Sequence, residues 1–252
     1  MPETAKEAST ALKQLASPER ARVLARYFKT GPGEYGEGDI FIGLTVPQTR
    51  SVAKAFKKLP LAELEILLHS PIHEERLAAL LILVAQFEKA EPNKQKEIVN
   101  FYLKNTHFIN NWDLVDSSAH TILGVYLEKQ PKDLLYKLAN SKNLWERRIA
   151  IIATFNFIRQ GESNEALSLA EQLLSDSHDL IHKAVGWMLR EVGKTCGEGT
   201  LRSFLKRHYS KLPRTTLRYA IEKFPEAERK AWLKGPFEPD DLQTAKPAKQ
   251  KA

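Results

Sequence analysis

The sequence predicts an all-α protein, a HEAT-like repeat α-solenoid with a concave basic face, and three observations support this prediction. From Pro47 onward, amphipathic helical segments follow one another and end at Pro or Gly. Few runs show the β-branched alternation that is typical of strands. Apolar residues recur 36 positions apart, a spacing typical of two helices per repeat, and the TPR consensus is absent. The first recurring apolar slot holds Ile72, Phe108, Leu144 and Leu180.

The repeat places three longer helices in equivalent positions, near residues 108–128, 143–160 and 178–194. Equivalent helices of a solenoid stack beside one another, so we expect these three to form one wall. A second slot holds Ala79, Val115, Ile151 and Trp187, and a third holds Arg76, Trp112, Arg148 and Ala184. Shorter helices are predicted near 93–103, 132–139, 163–174 and 199–208, and closing helices near 214–223 and 226–233.

Two further helices are predicted at the N-terminal end, over residues 4–15 and 18–29. Ser17 and Pro18 give the second of them an N-cap and a proline at its first position. We expect this helix to turn its apolar side toward the core. The residues assigned to that side are Val23, Leu24 and Tyr27.

Two segments are predicted to be non-helical. Residues 31–39, GPGEYGEGD, are rich in glycine and are expected to form a loop. This loop lacks the G-x-x-x-x-G-K-[ST] pattern and a preceding strand, and it carries three acidic residues, so nucleotide binding is not predicted. Residues 235–252 contain too few apolar residues to fold and are expected to be a disordered basic tail, leaving a single HEAT-like domain over 1–234.

Composition sets limits on function. No apolar run approaches the roughly 20 residues of a membrane span, and the first residues lack the apolar segment of a signal peptide. Cys196, the lone cysteine, is compatible with a reducing cytoplasm, where we expect the protein to be located. The net charge of +7 suits a polyanionic partner, although many proteins without such a partner are equally basic.

The stretch 108–128 carries the first candidate site. Trp112 and Asp116 are four residues apart at the edge of its apolar arc, whereas Asp113 is expected on the polar arc. Asn110 or Asn111 is the expected N-cap. A carboxylate beside an indole could be partly desolvated and still reach a ligand. The simpler alternative is an acidic residue that complements the helix dipole beside a tryptophan of the core.

The other two long helices carry candidate DNA contacts. Arg148 lies within an apolar stripe and therefore needs an anionic partner, which is either a carboxylate on a neighbouring helix or a phosphate. Trp187 lies at the edge of the next apolar arc, between Lys183 and Arg190. These three side chains form either a sugar-and-phosphate contact surface or an indole covered by cationic stems.

Other chemistries are not predicted. His178 and His182 have helical spacing but no third ligand follows them, and no H-E-x-x-H motif occurs, so we expect no metal site. No G-x-S-x-G motif is present, and no base neighbours Cys196. No cofactor is expected.

Four separated blocks resemble the DNA alkylation repair glycosylases of the HEAT-like AlkD family: ARYFKT, NWDLVD, NLWERRIA and HKAVGWMLRE. The resemblance covers roughly residues 20–225. It implies a catalytic carboxylate at Asp116 and aromatic side chains flanking the deoxyribose at Trp112 and Trp187. It also implies backbone contact by Arg148 near the lesion and a tyrosine at the N-terminal end of the site, Tyr27.

The resemblance also implies a function. We expect a monomeric, monofunctional glycosylase that acts on double-stranded DNA, is nucleoid-associated through it, and excises cationic purines such as N3-methyladenine and N7-methylguanine. Two features depart from the family: Asn111 stands where known members carry a tryptophan, and the loop 31–39 is longer. A DNA-structure-binding paralogue without excision and a protein-interaction scaffold are the alternatives.

Overall fold

The computed structural model describes residues 4–235. Its N-terminal helices begin after regular caps; Thr4 and Thr45, for example, each form a capping box with the residue three positions on. The first six helices are α1 (Ala5–Lys13), α2 (Pro18–Tyr27), α3 (Val46–Ala55), α4 (Leu61–Leu68), α5 (His73–Phe87) and α6 (Pro92–Lys104).

The chain continues as a series of short and long helices. They are α7 (Trp112–Asp116), α8 (Asp133–Ala139), α9 (Leu144–Ala153), α10 (Phe155–Arg159), α11 (Asn164–Leu173), α12 (Asp179–Thr195), α13 (Glu198–His208), α14 (Arg214–Ala220) and α15 (Glu226–Lys234). Residues 4–235 contain no β-strand, and the only bridge described pairs Ile40 with Ile72.

The helices stack as an all-α helical-repeat solenoid, as the 36-residue spacing predicts. One row runs from α5 through α7, α9 and α12 to α14, each helix packing against the next. Helices α4, α8, α11 and α13 pack behind this row, against α5, α9 and α12. One hydrophobic cluster extends from Ala5 to Trp232. The prediction that α7, α9 and α12 lie side by side is confirmed.

The prediction of one continuous helix over residues 108–128 is wrong. Helix α7 begins only at Trp112, where the Asn111 side chain accepts a hydrogen bond from the Trp112 backbone N–H, and it ends at Asp116. The buried Ser118 hydroxyl then donates a hydrogen bond of 2.6 Å to the Leu114 carbonyl. This side chain is an alternative to the backbone N–H that would bond to the same carbonyl in a continuous helix. A π-helical turn, His120–Gly124, and a 3₁₀ turn, Leu127–Lys129, follow. Of the two proposed caps, Asn111 is confirmed.

A similar interruption divides the helix predicted over 143–160. Thr154 separates α9 from α10, and its hydroxyl donates 2.6 Å to the Ile151 carbonyl. Helix α2 also differs from expectation, because it has no buried residue: Val23 is 63% and Tyr27 is 64% exposed. The predicted core direction is therefore wrong for Val23 and Tyr27.

Among residues 4–235, no helix combines the length and hydropathy of a membrane span. The expected disordered tail begins at Gly235, the last described residue, so the rest of it lies outside the described residues. The division into one domain over 1–234 and the concave basic face stay predictions.

Candidate active site

One cavity of about 520 Å³ collects every side chain that the sequence singled out for catalysis or DNA binding. It opens along the row of helices α7, α9, α12 and α14, with α2 at its N-terminal end. The predicted residues that line it are Tyr27, Trp112, Asp116, Arg148, Lys183, Trp187 and Arg190, and the unpredicted ones are Lys29, Tyr35, His178, Asp179, Leu180 and Tyr219.

Asp116 and Arg148 form a two-pronged ion pair at the floor of this cavity. The Arg148 Nε and Nη2 atoms donate to the two Asp116 carboxylate oxygens at 2.9 and 2.8 Å. The third guanidinium nitrogen, Nη1, donates 2.6 Å to the Leu180 carbonyl. Arg148 is buried. The sequence left two kinds of partner open for it, a carboxylate on a neighbouring helix or a phosphate, and in the structure the partner is the carboxylate of Asp116. Phosphate contact by Arg148 stays a prediction.

The electrostatic state of Asp116 reflects two opposed effects. Burial raises the pKa of the Asp116 carboxyl above its ordinary value of 3.8, and the charge and hydrogen bonds of Arg148 act in the opposite direction. With its side chain still 18% exposed, the carboxylate retains access to the cavity. A charge held in this partly desolvated position acts more strongly on a nearby cation than a charge in bulk water.

Trp112 is held on several sides. Phe28 stacks on the indole at 5.0 Å and 12°, and Tyr27 meets it edge-on at 5.9 Å. Since Phe28 covers one face, the other face of the indole is the one available to the cavity. Tyr27, which the sequence placed in the core, thus lies exposed at the cavity entrance beside Trp112.

Trp187 is fixed by a second set of contacts on α12. Its indole N–H donates 3.2 Å to Glu191, and Phe155 packs against the ring at 5.8 Å. One residue earlier, Gly186 allows α12 to approach α14 closely, because a side chain there would lie 2.6 Å from the Thr216 carbonyl. Both indoles therefore enter the cavity in defined orientations.

The two cations beside Trp187 already have acidic partners. Lys183 pairs with Asp179 at 2.9 Å, one helical turn before it, while its side chain stays 40% exposed. Arg190 contacts both Glu191 and Glu222. Phosphate binding at either side chain competes with these carboxylates, and the predicted DNA contacts stay predictions.

A buried polar network supports α7 from behind. His73 lies between two carboxylates, with Nδ1 3.1 Å from Asp39 and Nε2 2.8 Å from Asp113. Burial alone would lower the pKa of His73, but the two carboxylates, Asp113 foremost, outweigh it and raise the pKa to about 9. The helical wheel predicted Asp113 on the polar arc of its helix; in the structure its carboxylate is bonded to His73 of α5 and is only 14% exposed.

Asn111, the departure from the family pattern, belongs to the same network. It is completely buried and does not line the cavity; its amide nitrogen donates 3.1 Å to Asp39 while its oxygen caps α7. Of the unpredicted cavity residues, Asp179 had a recognisable signal in its i,i+4 spacing to Lys183. Tyr35, in the glycine-rich loop, had none beyond being an aromatic residue in a polar segment.

Within residues 4–235, no three His, Cys, Asp or Glu side chains converge as ligands of a metal ion. What the cavity offers is one carboxylate fixed by a guanidinium, two oriented indoles and two partly exposed cations, Lys183 and Arg190, each paired with a carboxylate. This arrangement can hold an anionic backbone at the rim and stabilise positive charge at the floor.

Comparison with known proteins identifies the family of the chain. The family model described as "DNA alkylation repair enzyme" matches residues 8–224. The solved structure of a predicted DNA alkylation repair enzyme from Enterococcus faecalis superposes with a TM-score of 0.65 at 17% identity, and the match covers 84% of this chain and 97% of that one. A search of curated proteins finds no match. Since the family model spans most of its length, the chain belongs to the DNA alkylation repair enzyme family.

Proposed function

We propose that this protein is a monofunctional DNA glycosylase that hydrolyses the N-glycosidic bond of cationic alkylpurines, N3-methyladenine and N7-methylguanine. One observation carries the proposal: the Asp116 carboxylate, oriented by Arg148, shares a cavity with two indoles and with the cationic side chains of Lys183 and Arg190. A carboxylate between aromatic faces suits a positively charged sugar, and cations at the rim suit the phosphates on either side of it.

In the proposed reaction, the positive charge passes from the alkylated purine, which is the leaving group, to the deoxyribose. Alkylation places a positive charge on the purine, so cleavage of the C1′–N bond sends the electron pair to the base and neutralises it. The remaining deoxyribose is oxocarbenium-like, and Asp116 stabilises it electrostatically. Water adds to C1′ and loses a proton, and the same carboxylate is the proposed acceptor of that proton. Water is the only co-reactant in this scheme.

Trp112 and Trp187 are assigned the two sides of the deoxyribose. Each indole has one side occupied by protein, by Phe28 or Phe155, and presents the rest of its ring to the cavity. Aromatic faces attract cations, and desolvation strengthens that attraction. We further propose that the protein acts as a monomer and is bound to the nucleoid through its DNA affinity.

The experiment that tests this function is incubation with genomic DNA treated with a methylating agent, followed by chromatography of the released bases. We expect free N3-methyladenine and N7-methylguanine at rates above spontaneous depurination. DNA binding without release would favour the DNA-structure-binding alternative. Absence of salt-dependent DNA binding as well would favour the scaffold alternative.

A further inference from the structure

A second cavity, of about 720 Å³, lies at the end of α5 that is remote from the candidate active site. It forms where α3 leads into α4 and where α5 is followed by α6. Helix α5 begins at His73, which contacts Asp113 of α7, and it ends at Phe87. The two ends of this 15-residue helix are roughly 20 Å apart. Among the described residues, the two cavities share no lining residue, so a molecule bound in the second leaves the first accessible.

The floor of this second cavity is apolar and held in place. The Gln86 side-chain amide donates 3.0 Å to the Lys57 carbonyl and 2.7 Å to the Leu59 carbonyl. These two bonds attach the end of α5 to the segment between α3 and α4. The apolar residues that line the cavity are Leu59, Pro60, Leu61, Ala85 and Ala90. The cavity is therefore a preformed recess that an apolar side chain can enter without rearrangement of the backbone.

Lysine side chains surround this apolar floor. Those that line the cavity are Lys57, Lys58, Lys89 and Lys94, and all four residues are exposed. Among the described residues, Glu97 is the only acidic one in the lining, and it pairs with Lys94 at 2.9 Å. Four lysines against one glutamate give the lining a formal charge of +3. Within residues 4–235, neither Lys57 nor Lys89 forms an ion pair with a carboxylate.

We propose that this lysine-rimmed cavity is the docking site for an acidic peptide segment of a partner protein, which inserts a large apolar side chain between its carboxylates. Carboxylates complement the rim, because Glu88 and Glu91, the acidic residues on either side of Lys89 in the sequence, are exposed and do not line the cavity. The apolar floor complements the inserted side chain, since removal of apolar surface from water is favourable. This inference does not depend on the proposed glycosylase activity.

Nucleic acid fits the lysine-rimmed cavity less well than a peptide does. In the part of the chain that the structure describes, the lining contains no aromatic ring on which a base could stack and no arginine for two-pronged phosphate binding. A duplex presents phosphates to a protein surface but no protruding apolar group, so it would leave the floor uncovered. The combination of cationic rim and apolar floor therefore favours an acidic peptide.

The test is selection of random dodecapeptides by phage display on the full-length protein, with counter-selection on the double variant Lys57→Glu, Lys89→Glu. We expect the enriched peptides to combine several carboxylates with a large apolar residue. The most enriched peptide, labelled with fluorescein, should bind the double variant about tenfold or more weakly than wild type, because two attractions become repulsions. The same peptide with its apolar residue replaced by serine should also lose affinity. Lys137→Glu, Lys142→Glu, which reverses two exposed lysines outside the cavity, is the matched control.

Three results would overturn the proposal. Selection that enriches no acidic, apolar peptide over the counter-selection excludes such a docking site. Equal affinity of the labelled peptide for wild type and for Lys57→Glu, Lys89→Glu places its binding elsewhere. Weaker binding of a plain 20-base-pair duplex by the double variant, without any peptide binding, assigns these lysines to nucleic acid. Circular dichroism melting curves show whether both double variants are folded.

Discussion

Arg148 binds both carboxylate oxygens of Asp116, at 2.9 and 2.8 Å, and directs its remaining terminal nitrogen to the Leu180 carbonyl. The pair joins α7 to α9, and the carbonyl contact joins α9 to α12. One guanidinium therefore connects the three helices that carry the candidate catalytic residues. Its loss should affect both the fold and the site.

We predict that Arg148→Ala destabilises the protein by about 3 kcal/mol, because it leaves a largely buried carboxylate without its partner. Urea denaturation measures this loss. The double variant Arg148→Met, Asp116→Asn should recover much of the stability, since it removes both charges, yet it should not recover excision. Arg159→Ala, which removes an exposed arginine of α10, serves as the control. A fully stable Arg148→Ala protein would contradict the structural role assigned to the pair.

The buried His73 gives stability a pH dependence. Its pKa is raised from 6.5 to about 9, so the folded protein binds a proton that the unfolded chain releases more readily. The resulting stabilisation, on the order of 3 kcal/mol, is complete below pH about 6.5 and is lost as the pH rises through 9. In urea titrations at a series of pH values, wild type should lose stability across this window, and His73→Gln should lose much less. Parallel pH profiles for the two proteins would disprove the assignment.

The sequence predicted the stacking of α7, α9 and α12 because helical periodicity and repeat spacing depend on local pattern alone. It could not predict what covers each face. The helical wheel placed Asp113 on the polar arc, yet its carboxylate is bonded to the buried His73 of a different repeat and is only 14% exposed. Tyr27 was placed in the core, yet it is 64% exposed and meets only the edge of the Trp112 ring.

Long-range contacts explain what else the sequence left open or missed. The partner of Arg148 depends on the offset between two stacked helices, which no single-helix pattern contains. Tyr35 reaches the cavity because Asp39 attaches the loop to residues far along the chain, at Arg76 and Asn111.

Lys183 is expected to contact DNA phosphate at the rim of the cavity. Lys183→Ala should weaken duplex binding about equally for all sequences and reduce the slope of log affinity against log salt by about one. Arg190→Ala should act in the same direction. Lys230→Ala on α15 is a matched control, because it also removes a lysine paired one turn away with an acidic residue, Glu226, outside the cavity. If the double Lys183→Ala, Arg190→Ala variant kept wild-type DNA affinity and salt slope, the assignment of phosphate contacts to these two residues would be wrong.

The decrease in excision rate at low pH should follow protonation of the Asp116 carboxylate. Since burial raises its pKa, excision should fall as the pH drops, with a midpoint above the ordinary value of 3.8. The mechanism needs the ionised form, so the rate is highest above that pKa. After subtraction of spontaneous depurination, Asp116→Asn should show no such midpoint. A midpoint shared by wild type and Asp116→Asn would assign the titration to another group.

Single-turnover release of N7-methylguanine by Asp116→Asn, at equal DNA occupancy, tests the central claim most directly. The substitution keeps the shape of the side chain and removes its charge, so excision should slow by about a hundredfold or more while DNA affinity changes little. Asp133→Asn, which neutralises an exposed carboxylate of α8, should match wild type. Equal rates for Asp116→Asn and wild type would contradict the account and remove Asp116 from the mechanism.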